Sequence, residues 1–203
     1  MQRRLIALSA AALFAAGSAA VAAGHAQQSY NDMNTSTATM GAAGTKMVGG
    51  APMYPTKDIV DNAVNSRDHT TLVAAVKAAG LVDTLKGKGP FTVFAPTNSA
   101  FSMLPAGTVD TLLKPENKGT LTQVLTYHVV PGRVDAASLA QQIQAGGGKA
   151  LLKTASGGTL TASMRGSDVV VMDAKGNAAV VTTADVYQSN GVIHVVDKVL
   201  LPG

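Results

Sequence analysis

The segment from 89 to 101, with sequence GPFTVFAPTNSAF, constrains the fold of this chain more than any other. It contains three of the four phenylalanines found among 203 residues. Phe91 to Phe94 is a short aromatic and β-branched run, which favours a buried strand. Pro96 prevents the ladder from continuing because proline has no backbone N–H to donate. The segment therefore predicts a buried strand that stops abruptly.

A helix is expected to begin directly after this strand. Thr97 and Asn98 provide side-chain oxygens that suit the cap of a helix running through Phe101 and Leu104. On this interpretation Phe91, Phe94 and Phe101 are core anchors that lock helices onto a sheet. The alternative is an aromatic box that binds a ligand.

Helical patterning dominates the chain before this segment. Apolar residues recur at helical spacing in two stretches, 59 to 64 and 72 to 76. Thr70 or Thr71 is suited to cap the second helix, and Gly80 stands where a left-handed C-terminal residue is needed. The first half of the folded region is therefore expected to be mainly helical.

Strand patterning dominates the second half. The sequence TYHVVPG at 126 to 132 predicts a helix that leads directly into a strand and a turn. From Ala150 onward, β-branched runs alternate with glycine turns about every ten residues. Asn190 and Gly191 form a tight-turn signal before a final strand predicted from Val192 to Leu201. A helical half followed by a β half that shares its sheet indicates an α+β architecture.

The N-terminus has the pattern of a secretory signal peptide over residues 1–26. Arg3 and Arg4 precede an apolar run that ends in small residues. A transmembrane anchor is the competing interpretation, but the strongly apolar stretch is short for a span. Cleavage after residue 26 would lower the net charge from +4 to +2 and leave no membrane span in the mature chain. The sequence thus predicts a secreted or periplasmic protein.

Residues 27–51 are rich in Ser, Thr, Ala and Gly and show no apolar periodicity, so we expect a disordered arm there. The folded domain is predicted to occupy residues 52–203. Four methionines near the arm, spaced six or seven residues apart, are weak copper(I) candidates because thioethers are soft ligands. They are Met33, Met40, Met47 and Met53. The alternative is that these methionines have no metal role.

Several function classes lose support from the composition. The chain has no cysteine, which removes thiolate chemistry and thiolate metal sites. Its lysines are dispersed, so no basic stretch favours nucleic acid, and its glycine pairs lack the setting of a phosphate loop. There is no nucleophile elbow, and the four histidines stand in separate segments without metal-ligand spacing. We therefore expect no enzyme, no cofactor and no nucleic-acid partner.

Three segments together resemble the fasciclin domain family. They are GPFTVFAPTNSAF at 89–101, TYHVVPG at 126–132 and GVIHVVDKVLLP at 191–202. The resemblance covers about residues 55 to 202. It implies a β-sandwich or wedge with helices packed on it, found in secreted and surface proteins that mediate adhesion, without typical enzymatic activity.

The resemblance also bears on single residues. In some animal relatives the Tyr-His pair is discussed as a partner contact, which makes Tyr127 and His128 partner-binding candidates here. The alternative is that both pack in the core and satisfy buried hydrogen bonds. Thr97, Asn98 and Asp197 match polar positions of the family and are expected to cap helices and fix turns. His194 is expected to be a surface or hydrogen-bonded histidine rather than a metal ligand.

Two non-enzymatic functions remain from the sequence. The first is an exported adhesion module that binds a cell surface, matrix, polysaccharide or protein partner. The second is a carrier that holds a small apolar ligand between its helices and sheet, or copper(I) on its methionine-bearing arm. The sequence specifies neither the partner nor the oligomeric state, because a fold does not determine what its surface binds.

Overall fold

Nine strands are present in the computed structural model, which describes residues 44–203. They are β1 (Lys46–Val48), β2 (Ala51–Met53), β3 (Phe91–Pro96), β4 (Val129–Pro131), β5 (Lys149–Lys153), β6 (Thr159–Arg165), β7 (Asp168–Met172), β8 (Ala178–Gln188) and β9 (Gly191–Val196). The first two form a hairpin, and the other seven form one sheet in the order β4-β3-β9-β8-β7-β6-β5. Neighbouring strands are antiparallel except β3 and β9, which run parallel.

Seven α-helices accompany these strands in the described region. They are α1 (Ile59–Ala63), α2 (Thr70–Ala79), α3 (Val82–Leu85), α4 (Asn98–Ser102), α5 (Thr108–Leu113), α6 (Lys118–Tyr127) and α7 (Ala136–Ala145). As predicted, Gly80 ends α2 in the left-handed conformation with φ of 70°. The predicted cap of α2 differs, because Thr70 is its first helical residue rather than the residue before it.

Strands β3 and β9 are buried on both faces and separate two cores. We call the first the helical core; it is built from the helices α1, α2, α3, α4 and α6 and from one face of these two strands, including Val93 and Ile193. We call the second the sheet core; it is built from α7, β5, β6 and β7 and from the opposite face, including Phe94 and Val196. Alternation of side chains along the strands produces this division.

The large sheet curves until its two end strands meet. Strands β4 and β5 lie at opposite ends of the strand order, yet they contact each other. The backbone N–H of Ala155, just after β5, donates to the carbonyl of Val129 in β4 at 2.7 Å. The sheet thereby encloses the sheet core.

The hairpin of β1 and β2 corrects the predicted domain boundary. The composition of residues 27–51 predicts a disordered arm, but Val48 and Ala51 are buried in the helical core. Gly49 and Gly50 both have positive φ, 57° and 74°, which forms the two-residue turn that such hairpins favour. The ordered domain therefore begins before residue 52. The predicted signal peptide and most of the arm lie outside the described residues.

The last strand is shorter than predicted. It ends at Val196 rather than continuing to Leu201. Val199 is buried in the helical core and Leu200 in the sheet core. Their side chains therefore point to alternate faces, as in a strand, although their backbone does not pair with a neighbouring strand. The backbone N–H groups of Leu200 and Leu201 donate to side chains instead of to a neighbouring strand.

Candidate functional site

The three phenylalanines of the 89–101 segment do not form a common box. Phe94 is fully buried in the sheet core, where its ring stacks on His194 with centroids 5.6 Å apart. Phe101 is buried in the helical core, and Phe91 is half-buried against that same core. Pro96 is the last residue of β3 and pairs with Val196. The segment therefore anchors both cores at once.

The two residues after this strand cap two different helices. Thr97 accepts a hydrogen bond from the N–H of Ala100 at 3.3 Å and so caps α4. Asn98 instead accepts from the N–H of Thr71 at 3.0 Å and donates to the carbonyl of Arg67 at 2.8 Å. Its side chain thus satisfies the N-terminus of α2 and ties that helix to the strand-to-helix junction.

Tyr127 is placed inside the sheet core, with 1% of its surface exposed. Its hydroxyl donates to the carbonyl of Thr159 at 2.9 Å and accepts from the N–H of Ala174 at 3.0 Å. Gly158 passes so close to the ring that an added Cβ would overlap it. Burial raises the pKa of the hydroxyl. The side chain therefore joins the start of β6 to the loop after β7 from within.

His128 is buried beside it and bonded through both ring nitrogens. Nδ1–H donates to the carbonyl of Val124 at 2.8 Å, and Nε2 accepts from the N–H of Leu200 at 2.9 Å. These partners require the neutral ring with its proton on Nδ1. Burial lowers the pKa of His128 to about 4, although the Val124 carbonyl and Asp173 favour the charged form. Direct partner contact by Tyr127 and His128 is at odds with this burial.

His194 is a buried and hydrogen-bonded histidine. Its Nε2–H donates to the carbonyl of Val134 at 2.8 Å, and its Nδ1 accepts from the N–H of Asp185 at 3.3 Å. Asp185 has a positive φ of 55° at an irregular part of β8, and its carboxylate accepts from the first N–H of α7. Burial lowers the pKa of His194. The ring links β9 to the start of α7 and has no free nitrogen for a metal.

Asp197 fixes the end of the last strand. Its carboxylate accepts from the N–H of Val180 at 2.7 Å, while its own N–H donates to the Val180 carbonyl at 3.2 Å. These bonds join Asp197 to strand β8 rather than close a turn, so its predicted turn-fixing role stays a prediction.

Sequence reasoning missed Asp173, which organises the loop beside Tyr127. Its carboxylate accepts from the N–H groups of Lys175 and Asn177 and from the side chain of Asn177. The same carboxylate accepts from the N–H of Leu201 at 2.9 Å. The pattern Asp-x-x-Gly-Asn at 173–177 is a turn signal that points to the local bonds, but nothing in the sequence indicates the distant one.

Asn190 was predicted only as part of a tight turn. It also accepts from the N–H of Ile59 at 3.1 Å and donates to the carbonyl of Leu85 at 2.7 Å. One buried amide therefore connects the last turn of the sheet to α1 and α3.

The helical core contains a cavity of about 90 Å³ between α1, α2, α3, α6 and β3. Most of its lining is aliphatic, including Ile59, Leu72 and Val76. Its rim includes the exposed residues Lys77 and Thr84. The volume is well above that of one water molecule, and the walls offer almost nothing for water to bond.

A second cavity of about 30 Å³ adjoins the first. The two share four lining residues, which are Ile59, Ala63, Leu72 and Val93. His69 lines the smaller cavity and is 3% exposed. Its Nδ1 bonds to the hydroxyl of Ser66 at 2.9 Å, but its Nε2 has no hydrogen-bond partner among residues 44–203. The carbonyl of Ala95 favours the charged form of the His69 ring, but it lies outside hydrogen-bond geometry.

Of the methionine candidates, Met47 and Met53 lie within the described residues, and these two do not share an exposed site. Met47 is 64% exposed, whereas Met53 is buried in the helical core, where its thioether is closed to an incoming ion. Met33 and Met40 lie outside the described residues. Within 44–203 there is also no cluster of three or more His, Asp or Glu side chains able to bind a metal. No helix in that range is long and apolar enough to cross a membrane.

A sequence model of the fasciclin domain matches residues 67–202. This chain belongs to the fasciclin domain family. The three segments that carried the resemblance lie in and around β3, β4 and β9, which are adjacent in the sheet. The family signature is thus the place where the domain divides its two cores.

The fasciclin domain described here is similar to three curated proteins in particular. Protein sll1483 from Synechocystis is 53% identical over 144 residues, which are 71% of this chain and 73% of that protein. Immunogenic protein MPB70 from Mycobacterium bovis is 39% identical over 69% of this chain and 66% of its own. Transforming growth factor-beta-induced protein ig-h3 from Sus scrofa is 36% identical, but the match spans only 20% of that protein.

A solved structure confirms the fold. The fasciclin domain superposes on a FAS1 domain pair from the insect cell adhesion molecule Fasciclin I with a TM-score of 0.64 and 18% sequence identity. The match covers 71% of this chain and 51% of that one. The α+β prediction and the family prediction are therefore both confirmed.

Proposed function

We propose that this protein is an exported, non-enzymatic adhesion module that binds a cell-surface, matrix, polysaccharide or protein partner. Membership of the fasciclin domain family supports adhesion as the general role. Its solved neighbour belongs to an insect cell adhesion molecule. A relative in Mycobacterium bovis is named a cell surface glycolipoprotein.

The main support for this proposal is that the signature residues use their polar atoms in hydrogen bonds inside the domain. The hydroxyl of Tyr127 and both nitrogens of His128 and of His194 are bonded inside the domain. Groups that are buried, neutral and fully bonded cannot act as acid, base or nucleophile on an external substrate. The signature therefore builds a scaffold, and partners are left to meet its outer surface.

Export is the second part of the proposal. It depends on the signal-peptide pattern of residues 1–26, in which two arginines precede an apolar run. N-terminal sequencing of protein recovered from the medium or periplasm tests this part. A mature N-terminus near residue 27 is the expected result, and recovery of the intact N-terminus on the membrane contradicts it.

A binding assay tests adhesion directly. Fluorescently labelled protein is titrated onto cells and matrix of the organism that produces it, and bound fluorescence is measured. We expect saturable binding that falls when an exposed apolar side chain is replaced, as in Met103→Asp or Leu151→Asp, since these residues are 59% and 74% exposed. Absence of saturable binding to any natural surface would count heavily against adhesion.

Tyr127→Phe is the matched control for that assay. The substitution removes a buried hydroxyl and leaves the outer surface unchanged, so binding should persist while the melting temperature falls. If binding is lost and the melting temperature is unchanged, Tyr127 contacts the partner and the scaffold interpretation is wrong.

A carrier of a small apolar ligand is the second candidate function. The cavity of about 90 Å³ beneath the helices specifically favours it. Copper(I) binding through the arm receives no comparable support, because Met53 is buried in the core. Calorimetry with copper(I) on the full chain tests the remaining methionines, and binding weaker than micromolar dismisses them.

A further inference from the structure

We propose that the outer face of β5, β6 and β7 docks on the surface of an anionic lipid bilayer. Lys149 and Lys153 pair with lipid phosphates, and Leu151 between them enters the headgroup layer. This inference rests on the adhesion role proposed above and names one partner for it, a membrane that carries negative charge.

The alternation of side chains along β5 produces this face. Ala150 and Leu152 are buried in the sheet core, whereas Lys149, Leu151 and Lys153 are exposed on the opposite side. Leu151 is 74% exposed, which is the largest value for a large apolar side chain among residues 44–203. One strand therefore presents a protruding leucine between two cations.

The register of the neighbouring strands extends the leucine into an apolar strip. Leu151 is paired with Thr161 of β6, and Thr161 is paired with Met172 of β7. Met172 is 37% exposed. Because neighbouring strands lie about 4.8 Å apart, Leu151 and Met172 are roughly 10 Å apart, with the threonine methyl group between them. A single exposed leucine needs no explanation, but a strip across three strands suggests contact with a partner.

The two lysines of β5 are not neutralised within the domain. They lie about 13 Å apart along the strand, one on each side of the strip. Within residues 44–203 neither forms an ion pair, since the ion pairs found there involve Lys86 and Lys114. Both ammonium groups are therefore available to an anion outside the chain.

The acidic groups nearby do not cancel this charge. Asp168 lies opposite Arg165 in the register of β6 and β7, so these two charges offset each other. Asp173 is 5% exposed, and its carboxylate already accepts hydrogen bonds within the domain. Lys175, which is exposed in the loop after β7, adds a further positive charge. The face as a whole is positive and is complementary to a negative surface.

The small size of this face favours a membrane over a protein partner. The strip and its two lysines cover about 13 Å by 10 Å, or roughly 130 Å². A stable protein interface buries about 800 Å² on each partner. Because the large sheet curves until its end strands meet, its outer face is convex and the neighbouring strands bend away from a flat partner. A fluid bilayer needs no matching shape and accepts such a patch.

The chemistry of the strip favours a membrane over an acidic polysaccharide. A polyanionic sugar chain can pair with the lysines, but its hydroxyl groups offer little apolar surface to cover Leu151 and Met172. The sequences of β5, β6 and β7 also contain no aromatic side chain that could stack on a sugar ring. The interface of a bilayer supplies both needs, because apolar side chains enter the boundary with the acyl chains while cations meet the anionic headgroups.

Each contribution is modest, so binding should depend on lipid charge and on salt. A lysine near an anionic leaflet strengthens binding by about five-fold. The attraction fades beyond a Debye length of about 8 Å in physiological salt. Insertion of a leucine adds roughly a further ten-fold when its side chain leaves water. We therefore expect binding to anionic vesicles at low salt, and little binding to zwitterionic vesicles.

Site-specific fluorescence tests the docking. The chain has no cysteine, so one introduced thiol carries the only label. An environment-sensitive fluorophore is attached to full-length Leu151→Cys and, in a separate protein, to Val64→Cys, since Val64 is 46% exposed at the end of α1. Each protein is mixed with phosphatidylcholine vesicles, with or without phosphatidylglycerol. The label at 151 should shift to the blue only with phosphatidylglycerol, and the label at 64 should not respond.

Charge reversal tests the two lysines. The double variant Lys149→Glu and Lys153→Glu should weaken co-sedimentation with anionic vesicles by at least about 25-fold, because each lysine contributes about five-fold. The control is Lys88→Glu combined with Lys118→Glu, which changes the net charge equally at two exposed lysines outside β5, β6 and β7. It should weaken binding by less than about three-fold, because charges away from the contact are screened. Melting curves verify that both double variants are folded.

The remaining outcomes separate this proposal from the adhesion role. The apolar N-terminal run can also partition into vesicles, but such binding would be equal in all variants and leave the label at 151 unchanged, which contradicts the proposal. Lysine-dependent binding to soluble polygalacturonate, without binding to vesicles, would make the partner a polysaccharide and the lipid assignment wrong. If vesicles do not bind but cells bind the protein saturably, docking on lipid is wrong and adhesion stands. If neither binds, both are wrong.

Discussion

The sheet core and the helical core differ in how completely their buried polar side chains are hydrogen-bonded. In the sheet core, Tyr127, His128 and His194 each use every polar atom in a bond to the backbone. In the helical core, His69 keeps one nitrogen without a partner in the described region, and cavities remain around it.

This difference separates a rigid part of the molecule from an adaptable one. A fully satisfied polar network fixes one arrangement of the strands, since any shift breaks several bonds. Side chains that line a cavity lack van der Waals contacts on one side, so they can rearrange at a smaller cost in free energy. We therefore expect substitutions to be costly in the sheet core and better tolerated in the helical core.

Phe94→Ala should produce the largest loss of stability. The ring is fully buried, stacks on His194 and also lines the cavity of about 90 Å³, so its removal leaves a larger void between the two cores. We expect the free energy of unfolding to fall by about 3–5 kcal/mol. Urea denaturation measures the change, and a loss below about 1 kcal/mol would contradict the core-anchor role of Phe94 and favour the ligand-box alternative.

Acid should destabilise the sheet core through His128. Its folded pKa of about 4 lies below the usual unfolded value of about 6.5, so the unfolded chain binds the proton first. Stability is complete above pH 6.5 and is lost as the pH falls towards 4, by about 3 kcal/mol in all. His69 and His194 have lowered pKa values as well and act in the same direction.

Urea midpoints at pH 7 and pH 5 measure this dependence, in a window above the range where carboxylates titrate. His128→Gln is the control, because an amide can replace both hydrogen bonds but does not titrate. Its stability should depend less on pH than that of the wild type. Equal slopes for the two proteins would assign the acid sensitivity to other groups.

A pair of alanine substitutions compares the packing of the two cores directly. Ala162→Leu enlarges a fully buried residue of the sheet core and should cost about 1–3 kcal/mol through overpacking. Ala63→Leu enlarges a residue beside the cavities and should change stability by less than about 1 kcal/mol. Thermal melting of both variants measures the contrast, and equal losses would mean that the helical core is packed as tightly as the other.

Asn98→Ala should have a small effect that is confined to the helical side. It removes the bond to the N–H of Thr71 and the bond to the carbonyl of Arg67. Loss of a helix cap costs about 1 kcal/mol. Ser102→Ala is the control, since its hydroxyl bonds only to the carbonyl one turn back in the same helix. Hydrogen exchange should show faster opening of α2 than of β3 in the Asn98 variant.

Local signals in the sequence predicted much of this fold. Gly80 marked the end of α2 and Thr97 the cap of α4, because both act on backbone within a few residues of themselves. Phe91 to Phe94 was identified as a strand from composition alone. The family signature then placed these elements in one known architecture.

Long-range contacts account for what was missed. Asn98 caps a helix that begins 28 residues earlier, and Asp173 holds the backbone of Leu201, so neither partner is readable from local pattern. The hairpin at Gly49 and Gly50 had a clear turn signal. The surrounding composition, which is typical of a flexible arm, outweighs that turn signal in a prediction from sequence.

The candidate site is even harder to predict from local sequence patterns, because it depends on long-range contacts. His69 precedes an ordinary amphipathic helix, and nothing in its neighbours indicates that its ring lines a cavity. That property arises only when α1, α2 and β3 pack together. Likewise, the sequence leaves Tyr127 and His128 open between core packing and partner contact, and their burial is visible only in the structure.

The meeting of β4 and β5 has a consequence for self-association. Strands at the ends of a sheet are templates on which another chain can add a strand. Here the backbone bond from Ala155 to Val129 brings the two end strands against each other, so each shields the other from an incoming chain. The high local density of domains on a surface that the proposed adhesion role would require is thereby compatible with their staying unaggregated.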